Sequence, residues 1–311
     1  MLPLLVTLIA LGVACVAWGV VIERSWYRLQ RYRLAILPAS TVALTVLHLS
    51  DLHFVRSDAK KARFLASLPA ADLTVITGDF LAESRAVEAA VEAVGPVQGR
   101  LASWFVLGSN DYYEPAPLNY LEYFKIRRRA RVGIRGRSSD LVGGLTAGGW
   151  EDLTNVRRDV RVGDLDVELL GLDDAHITRA DLRIVPRAAP ERFGIAVMHS
   201  PDSAPEAAAA GYDLVLAGHT HGGQVCLPFL GALVTNCSMP RRLVDGLIRM
   251  GPAILHTSRG LGTSKFAPFR FWCRPTATIL DLVPRPPQDT PATLASPRDV
   301  AQLGSAQRSG R

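Results

Sequence analysis

Residues 45–53 read TVLHLSDLH, an apolar run that ends in polar residues. The run has the length of a buried strand and is shorter than an ordinary helix. Asp51 and His53 follow it with one residue between them. Because side chains alternate along an extended chain, these two can point to the same side. The stretch therefore predicts a buried strand with two potential metal ligands at its carboxyl end.

The same arrangement recurs further along the chain. Short apolar runs over 73–76, 103–107, 195–198 and 214–217 each end in polar residues. The polar ends contain further potential ligands, namely Asp79, Asn110, His199, His219 and His221. Helical patterns over 58–68 and 83–94 lie between the early runs. This alternation predicts an α/β domain with its site at the carboxyl ends of the strands.

The second half of the body has a different pattern. Residues 160–162 and 167–170 flank a Gly-Asp pair, which predicts a hairpin. Strand-like stretches then follow at 224–227, 253–256 and 276–282 without long helices between them. We therefore expect a second, more antiparallel sheet that packs on the first.

The ligand types limit which metals the site can hold. A set rich in imidazole and carboxylate suits manganese, iron or zinc, whereas calcium prefers oxygen ligands alone. The four cysteines include no Cys-x-x-Cys pair, which disfavours a structural zinc ribbon. The sequence therefore predicts a catalytic site for divalent transition metals.

In this order the motifs resemble those of the calcineurin-like metallophosphoesterase superfamily. Its blocks are Asp-x-His, Gly-Asp, Gly-Asn-His-Asp/Glu, a lone His and Gly-His-x-His, and corresponding blocks run here from Asp51 to His221. The stretches HSPD at 199–202 and SRGLG at 258–262 are similar to the membrane-associated branch of bacterial phosphodiesterases. The resemblance implies an α/β fold, a four-layer αββα sandwich of two mixed sheets, over residues 41–283.

The resemblance also implies a ligand set and a reaction. One divalent metal ion would be held by Asp51, His53, Asp79 and His221. A second would be held by Asp79, an Asn, His199 and His219. The two ions, manganese, iron or zinc, would activate a bridging hydroxide that attacks phosphorus in a phosphodiester or pyrophosphate bond. No catalytic side chain is assigned beyond these ligands.

The third block departs from the family pattern, because it reads Gly108-Ser109-Asn110-Asp111. In direct register Ser109 replaces the metal-binding Asn, and Asn110 replaces the His. We favour Asn110 as the ligand, since Ser is a poor ligand for these metals. The missing His removes a potential general acid, which Asn cannot replace. A pyrophosphate or activated diester, whose leaving group needs no proton, is therefore the favoured substrate.

The amino terminus carries a run of 21 uncharged residues, Leu2–Ile22. At about 1.5 Å per residue a helix of this length crosses a bilayer core of about 30 Å. Arginines and Trp26 follow it, as at a membrane interface. A cleaved signal peptide is the alternative, but a basic amino-terminal region is missing. Because the arginines follow the helix, we expect a single-pass cell-membrane protein whose catalytic domain is cytoplasmic.

The net charge of +6 is concentrated in two segments. Residues 23–33 carry +3 and residues 125–137 carry +7, which leaves −4 for the remainder. This distribution argues against a chain-wide nucleic-acid surface and favours contact with membrane lipid or an anionic ligand. We expect residues 23–40 to form a basic juxtamembrane linker. Residues 284–311, rich in Pro, Ser, Thr and Gln, are expected to be a disordered tail.

Together these features predict a membrane-anchored, metal-dependent phosphoesterase. The resemblance and the anchor together suggest a lipid-linked substrate, either a UDP-diacylglucosamine-like pyrophosphate or a phospholipid-like diester. Two alternatives remain open: a non-catalytic metal-binding scaffold of the same fold, and a nuclease-type phosphodiesterase.

Overall fold

The computed structural model describes residues 2–115 and 133–286. Most of the basic segment 125–137, and the predicted tail from residue 287 onward, lie outside the described residues. The described chain forms two six-stranded mixed sheets that pack face to face.

The first sheet has the strand order β1-β14-β2-β3-β4-β5. Its strands are β1 Arg28–Leu37, β2 Leu44–Leu49, β3 Leu73–Thr77, β4 Ala102–Val106, β5 Glu151–Asp152 and β14 Thr276–Pro284. Strand β14 runs antiparallel to β2, and the other neighbours are parallel. Every residue of β3 is buried, as expected for a central strand covered on both faces.

The second sheet has the order β12-β13-β9-β8-β7-β6. Its strands are β6 Val156–Val162, β7 Leu165–Leu172, β8 Phe193–Met198, β9 Leu214–Ala217, β12 Gly246–Met250 and β13 Ala253–Thr257. The predicted hairpin is the pair β6 and β7. The second sheet has an antiparallel pair at each edge, and the strands at its centre are parallel. The first sheet has one antiparallel pair. A separate small hairpin pairs β10 Cys226–Leu227 with β11 Gly231–Ala232.

Helices cover the outer faces of the two sheets. The described helices of the body are α2 Ala59–Ala66, α3 Val87–Val94, α4 Ser109–Tyr112, α5 Ser138–Ala147 and α6 Ala204–Ala209. One core lies between the first sheet and helices α2, α3 and α5, a second between the two sheets, and a third under α6. The predicted four-layer αββα sandwich is confirmed.

The amino-terminal helix α1 spans Leu2–Ala17 and continues through a π-helical turn, Trp18–Ile22, and a 3-10 turn, Glu23–Ser25. Over the 24 residues from Leu2 to Ser25 it is long and apolar enough to cross a membrane. Its side chains are largely exposed until Gly19, where it meets the body of the protein.

The segment after this helix differs from the expected linker. Arg28–Leu37 is a ten-residue strand that pairs in parallel with β14 at the edge of the first sheet. Its first half alternates between half-buried and exposed residues, so one face turns toward the core between the two sheets and the face with Arg31 and Arg33 meets solvent. The domain therefore begins at Arg28, and the linker prediction for 23–40 is corrected over this strand. At the other end, Pro284 is the last residue of β14 and not the start of a tail.

Candidate metal centre

All seven predicted ligands lie just beyond the carboxyl ends of central strands. Asp51 and His53 follow β2, Asp79 follows β3 and Asn110 follows β4. His199 follows β8, and His219 and His221 follow β9. Because these strands are neighbours within their sheets, the two sheets bring the side chains together at one edge of the sandwich.

One group of ligand atoms comprises Asp51, His53 and His221, all within 4.8 Å of one another. The Nε2 atoms of His53 and His221 are 3.1 Å apart. His221 Nε2 lies 3.4 Å from Asp51 Oδ1, and His53 Nε2 lies 4.0 Å from the same oxygen. One carboxylate and two imidazoles thus point at one small volume.

A second group comprises Asp51, Asp79 and His199, again within 4.8 Å of one another. His199 Nε2 lies 3.5 Å from Asp79 Oδ2 and 3.2 Å from Nδ1 of His219. His53 Nε2, in the first group, is also 3.5 Å from Asp79 Oδ2. One carboxylate oxygen of Asp79 therefore faces both groups.

These separations fit metal coordination. Two atoms bound to one transition metal at about 2.1 Å lie about 3.0–3.4 Å apart, close to the N···N and N···O distances above. Asp51 Oδ1 is buried and accepts no hydrogen bond, although it faces two imidazoles. A buried carboxylate oxygen without a donor is unfavourable unless a cation satisfies it. The donor set therefore fits divalent metal ions.

In the third block Asn110, but not Ser109, contacts the carboxylate of Asp79. The Asn110 main-chain N–H donates to Asp79 Oδ1 at 2.8 Å, and its side-chain amide donates to Oδ2. Asn110 therefore lies beside the second group. Its role as a metal ligand stays a prediction.

The backbone at the site is strained in a way that the sequence does not reveal. Five residues of the predicted ligand set adopt positive φ angles, namely Asp51, His53, Asp79, His219 and His221. Non-glycine residues rarely occupy this region, and such strain is concentrated at functional sites. Glycines next to these residues permit the close packing that accompanies this strained backbone. A Cβ at Gly218 would overlap the Ser50 hydroxyl, at 1.7 Å.

Burial dominates the electrostatics of the imidazoles. It lowers the pKa of His53, His219 and His221, which favours the neutral form that binds metals. Burial also lowers the pKa of His199, but the Asp79 and Asp174 carboxylates outweigh it and raise that pKa to about 10. A metal at His199 must therefore displace a proton.

The two carboxylates respond differently to the same environment. Burial raises the pKa of Asp51. Burial also raises the pKa of Asp79, but His199, His53 and the hydrogen bonds from Asn110 outweigh it, so this pKa is lowered. Asp79 thus keeps its negative charge, which is the form of a carboxylate that binds metals.

Residues that orient the ligands were not assigned by the sequence. The Thr77 carbonyl is 2.7 Å from His199 Nδ1, which leaves Nε2 to face Asp79. The Asp111 carboxylate accepts hydrogen bonds from the main chain at Gly108, Asp79 and Leu81. Asp111 stands last in the Gly-Ser-Asn-Asp block, so its position in that motif was the available signal.

Arg270 is a further residue that the sequence did not reveal. Its side chain is fully buried and lies 3.3 Å from His221 Nδ1. It also donates to the carbonyls of Arg259 at 2.7 Å and Gly262 at 2.6 Å. Arg270 thus ties the His221 loop to the SRGLG segment. It lies in a loop with no metal-type motif, so no local pattern indicated its role.

Comparison with known proteins agrees with this geometry. The family model described as calcineurin-like phosphoesterase matches residues 44–223, which include every predicted ligand. The chain belongs to the calcineurin-like phosphoesterase family. It is therefore a hydrolase that acts on phosphoric ester bonds, and its fold implies divalent metal ions.

Three curated relatives extend the match to most of the chain. The uncharacterized metallophosphoesterase YkuE of Bacillus subtilis is 28% identical over 76% of this chain and 76% of its own length. Phosphodiesterase YaeI of Escherichia coli is 26% identical over 84% of this chain and 90% of its own length. A Bos taurus transmembrane protein with a metallophosphoesterase domain is 27% identical over 61% of this chain and 43% of its own length.

Proposed function

We propose that the protein is a membrane-anchored phosphodiesterase with a binuclear metal centre, which cleaves a phosphodiester or pyrophosphate bond in a lipid-linked substrate. The observation that carries the proposal is the position of Asp79 Oδ2. It lies 3.5 Å from Nε2 of His53 and 3.5 Å from Nε2 of His199, between the two groups of ligands. This arrangement supports a carboxylate shared by two metals.

The first metal would be held by Asp51, His53, Asp79 and His221. The second would be held by Asp79, Asn110, His199 and His219. When bound, manganese, iron or zinc ions supply Lewis acidity toward phosphate oxygens and lower the pKa of water. The protein holds the ligands in place through its own contacts. For example, the His219 main-chain N–H and the Ser50 hydroxyl both donate to Asp51 Oδ2.

The choice of leaving group follows from Asn110, which stands where the superfamily pattern has a His. Its amide donates to Asp79 and has no titratable proton to transfer. An alkoxide leaving group needs a proton, whereas phosphate and aryl oxide leave as weak bases. Asn110 therefore favours pyrophosphates and activated diesters over simple alkyl monoesters.

The amino-terminal helix supports a membrane location. It is apolar and exposed along most of its length, and a relative of the chain is described as a transmembrane protein. An anchored enzyme has ready access to substrates in the same bilayer. A UDP-diacylglucosamine-like pyrophosphate is the substrate type that we favour. A phospholipid-like diester is the second, and its alkoxide leaving group would need a proton from a donor other than Asn110.

The arginines that follow the helix favour a cytoplasmic catalytic domain. A reporter fused after Arg311 tests this orientation. Activity from a reporter that works only in the cytoplasm is the expected result. Activity from one that works only outside the cytoplasm would reverse the proposed orientation.

The function is tested with full-length protein in detergent, supplied with Mn²⁺ and a panel of phosphate esters. We expect turnover of pyrophosphates and activated diesters, loss of turnover with a chelator, and loss in an Asp79→Asn variant. The exposed Asp166, which pairs with Arg161 at the surface, provides the matched control Asp166→Asn. Faster cleavage of alkyl phosphomonoesters than of pyrophosphates would contradict the proposed substrate class.

The same panel separates the alternatives. A nuclease-type phosphodiesterase would prefer oligonucleotides over lipid-linked diesters. A metal-binding scaffold would bind Mn²⁺ but show no turnover that depends on Asp79.

A further inference from the structure

We infer that an apolar surface beside the metal centre is a second membrane contact, in addition to the amino-terminal helix. This apolar rim consists of Leu227, Phe229, Leu230, Leu233 and Trp272. The inference rests on the proposed membrane anchoring and adds to it a specific docking surface whose partner is the lipid bilayer.

The apolar rim is unusually exposed. Phe229 is fully exposed, Leu230 is 76% exposed and Trp272 is 64% exposed. Leu227 and Leu233 are also exposed. Four of the five rim side chains, all except Trp272, therefore lie within seven residues of the β10–β11 hairpin and its flank. A contiguous apolar patch of this kind marks a site of interaction.

The segment 270–273 holds the end of the amino-terminal helix. The Arg270 main-chain N–H donates to Gly19 O at 3.3 Å, and a Cβ at Gly19 would meet Arg270 O at 2.6 Å. The Cys273 main-chain N–H donates to the Glu23 carboxylate at 2.6 Å. The point where the helix leaves the protein is therefore fixed against this segment.

The same segment is joined to the hairpin. Phe271 N donates to Gln224 O at 3.1 Å, and Cys226 N donates to Phe271 O at 2.8 Å. Chains paired in this way lie about 4.8 Å apart. The helix end, Trp272 and the start of the hairpin are thus close neighbours, which places the apolar rim beside the end of the helix.

The chain segment that contains the hairpin also lies beside the metal centre. It begins three residues after Gly223, where a Cβ would meet the Ala232 side chain at 2.3 Å. Past the hairpin, Asn236 O lies 3.2 Å from His219 Nε2. A hairpin seated in the bilayer surface would therefore hold the metal centre next to the lipid headgroups.

Arginines surround the apolar rim, as expected at an interface with anionic lipids. Arg241 donates to Leu233 O at 3.1 Å, and Arg24 contacts Pro268 O. The Arg274 guanidinium lies 3.9 Å from the ring centre of Trp26. Apolar tips flanked by arginine and tryptophan are typical of the boundary between headgroups and acyl chains, and this favours a bilayer over a protein partner.

Site-specific photo-crosslinking in lipid vesicles tests the inference. A photoreactive amino acid replaces Phe229 in the full-length chain, which is reconstituted in vesicles of phosphatidylethanolamine and phosphatidylglycerol. The same replacement at Leu11 in the amino-terminal helix is the positive control. Leu101 is the negative control, because it is 51% exposed but precedes β4, at the end of the sheet opposite the metal centre.

Lipid adducts at positions 11 and 229, with none at 101, are the expected result. Adducts at 11 without adducts at 229 would overturn the second contact and leave the anchor intact. No adducts at either 11 or 229 would overturn the anchoring itself. Crosslinks from 229 to protein instead of lipid would show that the apolar rim is a protein interface, which also overturns the inference.

A charge variant supplies a functional readout. Phe229→Asp should reduce turnover of a bilayer-embedded diester, relative to turnover of a soluble one, by about tenfold, since a large aromatic side chain loses its burial. Leu101→Asp should leave that ratio unchanged, and Phe229→Trp should retain it. An unchanged ratio in Phe229→Asp would contradict the docking role even if the protein remains anchored.

Discussion

The main-chain N–H of Asp79 donates a 2.9 Å hydrogen bond to the buried carboxylate of Asp111. Asp111 also accepts hydrogen bonds from Gly108 and Leu81, so it joins the loops after β3 and β4. Burial and the Asp79 charge raise the pKa of Asp111, whereas the hydrogen bonds from Gly108 and Leu81 favour its charged form. The carboxylate proposed to lie between the two metals is thus positioned by a second carboxylate beneath it.

Asp111→Asn should weaken metal binding by about 10–100-fold, as is typical when a partner that orients a ligand is lost. The amide replaces one of the two acceptor oxygens with a donor NH2 group, so main-chain N–H groups on that side lose their acceptor and the Asp79 loop shifts. Mn²⁺ titration with metal analysis measures the effect. The surface variant Asp140→Asn, at a residue paired with exposed Arg137, should bind as the wild type does. Wild-type affinity in Asp111→Asn would rule out the positioning role.

Asp79→Asn should lower kcat by about 100-fold or more and reduce bound metal, because it removes the charge shared by the two ligand groups. Circular dichroism should remain unchanged, and the matched surface variant Asp166→Asn should retain activity. If Asp79→Asn kept full metal content and turnover, a shared metal centre at this position would be excluded.

Arg270→Met should destabilise the fold by about 3–5 kcal/mol, because several buried carbonyls lose their donor. The carbonyls belong to Arg259, Gly262 and Cys273. Arg270→Lys should recover only part of the loss, since an ammonium cannot reproduce the planar fork. Thermal unfolding in detergent, compared with the exposed variant Arg31→Lys, measures the change. Equal Tm values for the wild type and the Arg270→Met, Arg270→Lys and Arg31→Lys variants would contradict a structural role for Arg270.

Glu168 should contribute to acid sensitivity. Burial raises its pKa, but Arg187 at 2.9 Å and the main chain at 188 and 189 outweigh this effect, so the pKa lies below 4.5. A lowered pKa contributes stability above pH 4.5 that is lost as the pH falls through the folded-state value.

Glu168→Gln should therefore be less stable than the wild type at neutral pH, with a shallower loss of Tm below about pH 4.5. Thermal unfolding across an acid series provides the measurement. Parallel Tm profiles for the two proteins would show that Glu168 does not titrate with folding.

Local patterns in the sequence predicted most of the sandwich. Apolar runs such as 73–76 and 214–217 became buried strands because both faces of the central strands are covered. The ligands could be listed for a similar reason, since each follows such a run directly. Their clustering required only that the carboxyl ends of neighbouring strands meet at one edge.

Long-range pairing could not be predicted in this way. Strand β1 carries three arginines and resembles the flank of a membrane helix. It becomes a strand by pairing with β14, more than 240 residues away. No local pattern encodes that partner. The role of Arg270 was missed because its partners are main-chain groups of other loops, whereas Asp111 could have been found from its place in the Gly-Ser-Asn-Asp block.

The short connection between the amino-terminal helix and β1 has a mechanical consequence. Only Trp26 and Tyr27 separate the last helical turn from the edge strand. The Glu23 carboxylate also accepts a hydrogen bond from the main-chain N–H of Cys273 in the body of the protein. Once the helix is embedded in a bilayer, this short connection does not allow the catalytic domain to tilt relative to the membrane or to move away from its surface. It would drift sideways with its anchor at a constant height and orientation, and would encounter its substrates by two-dimensional diffusion.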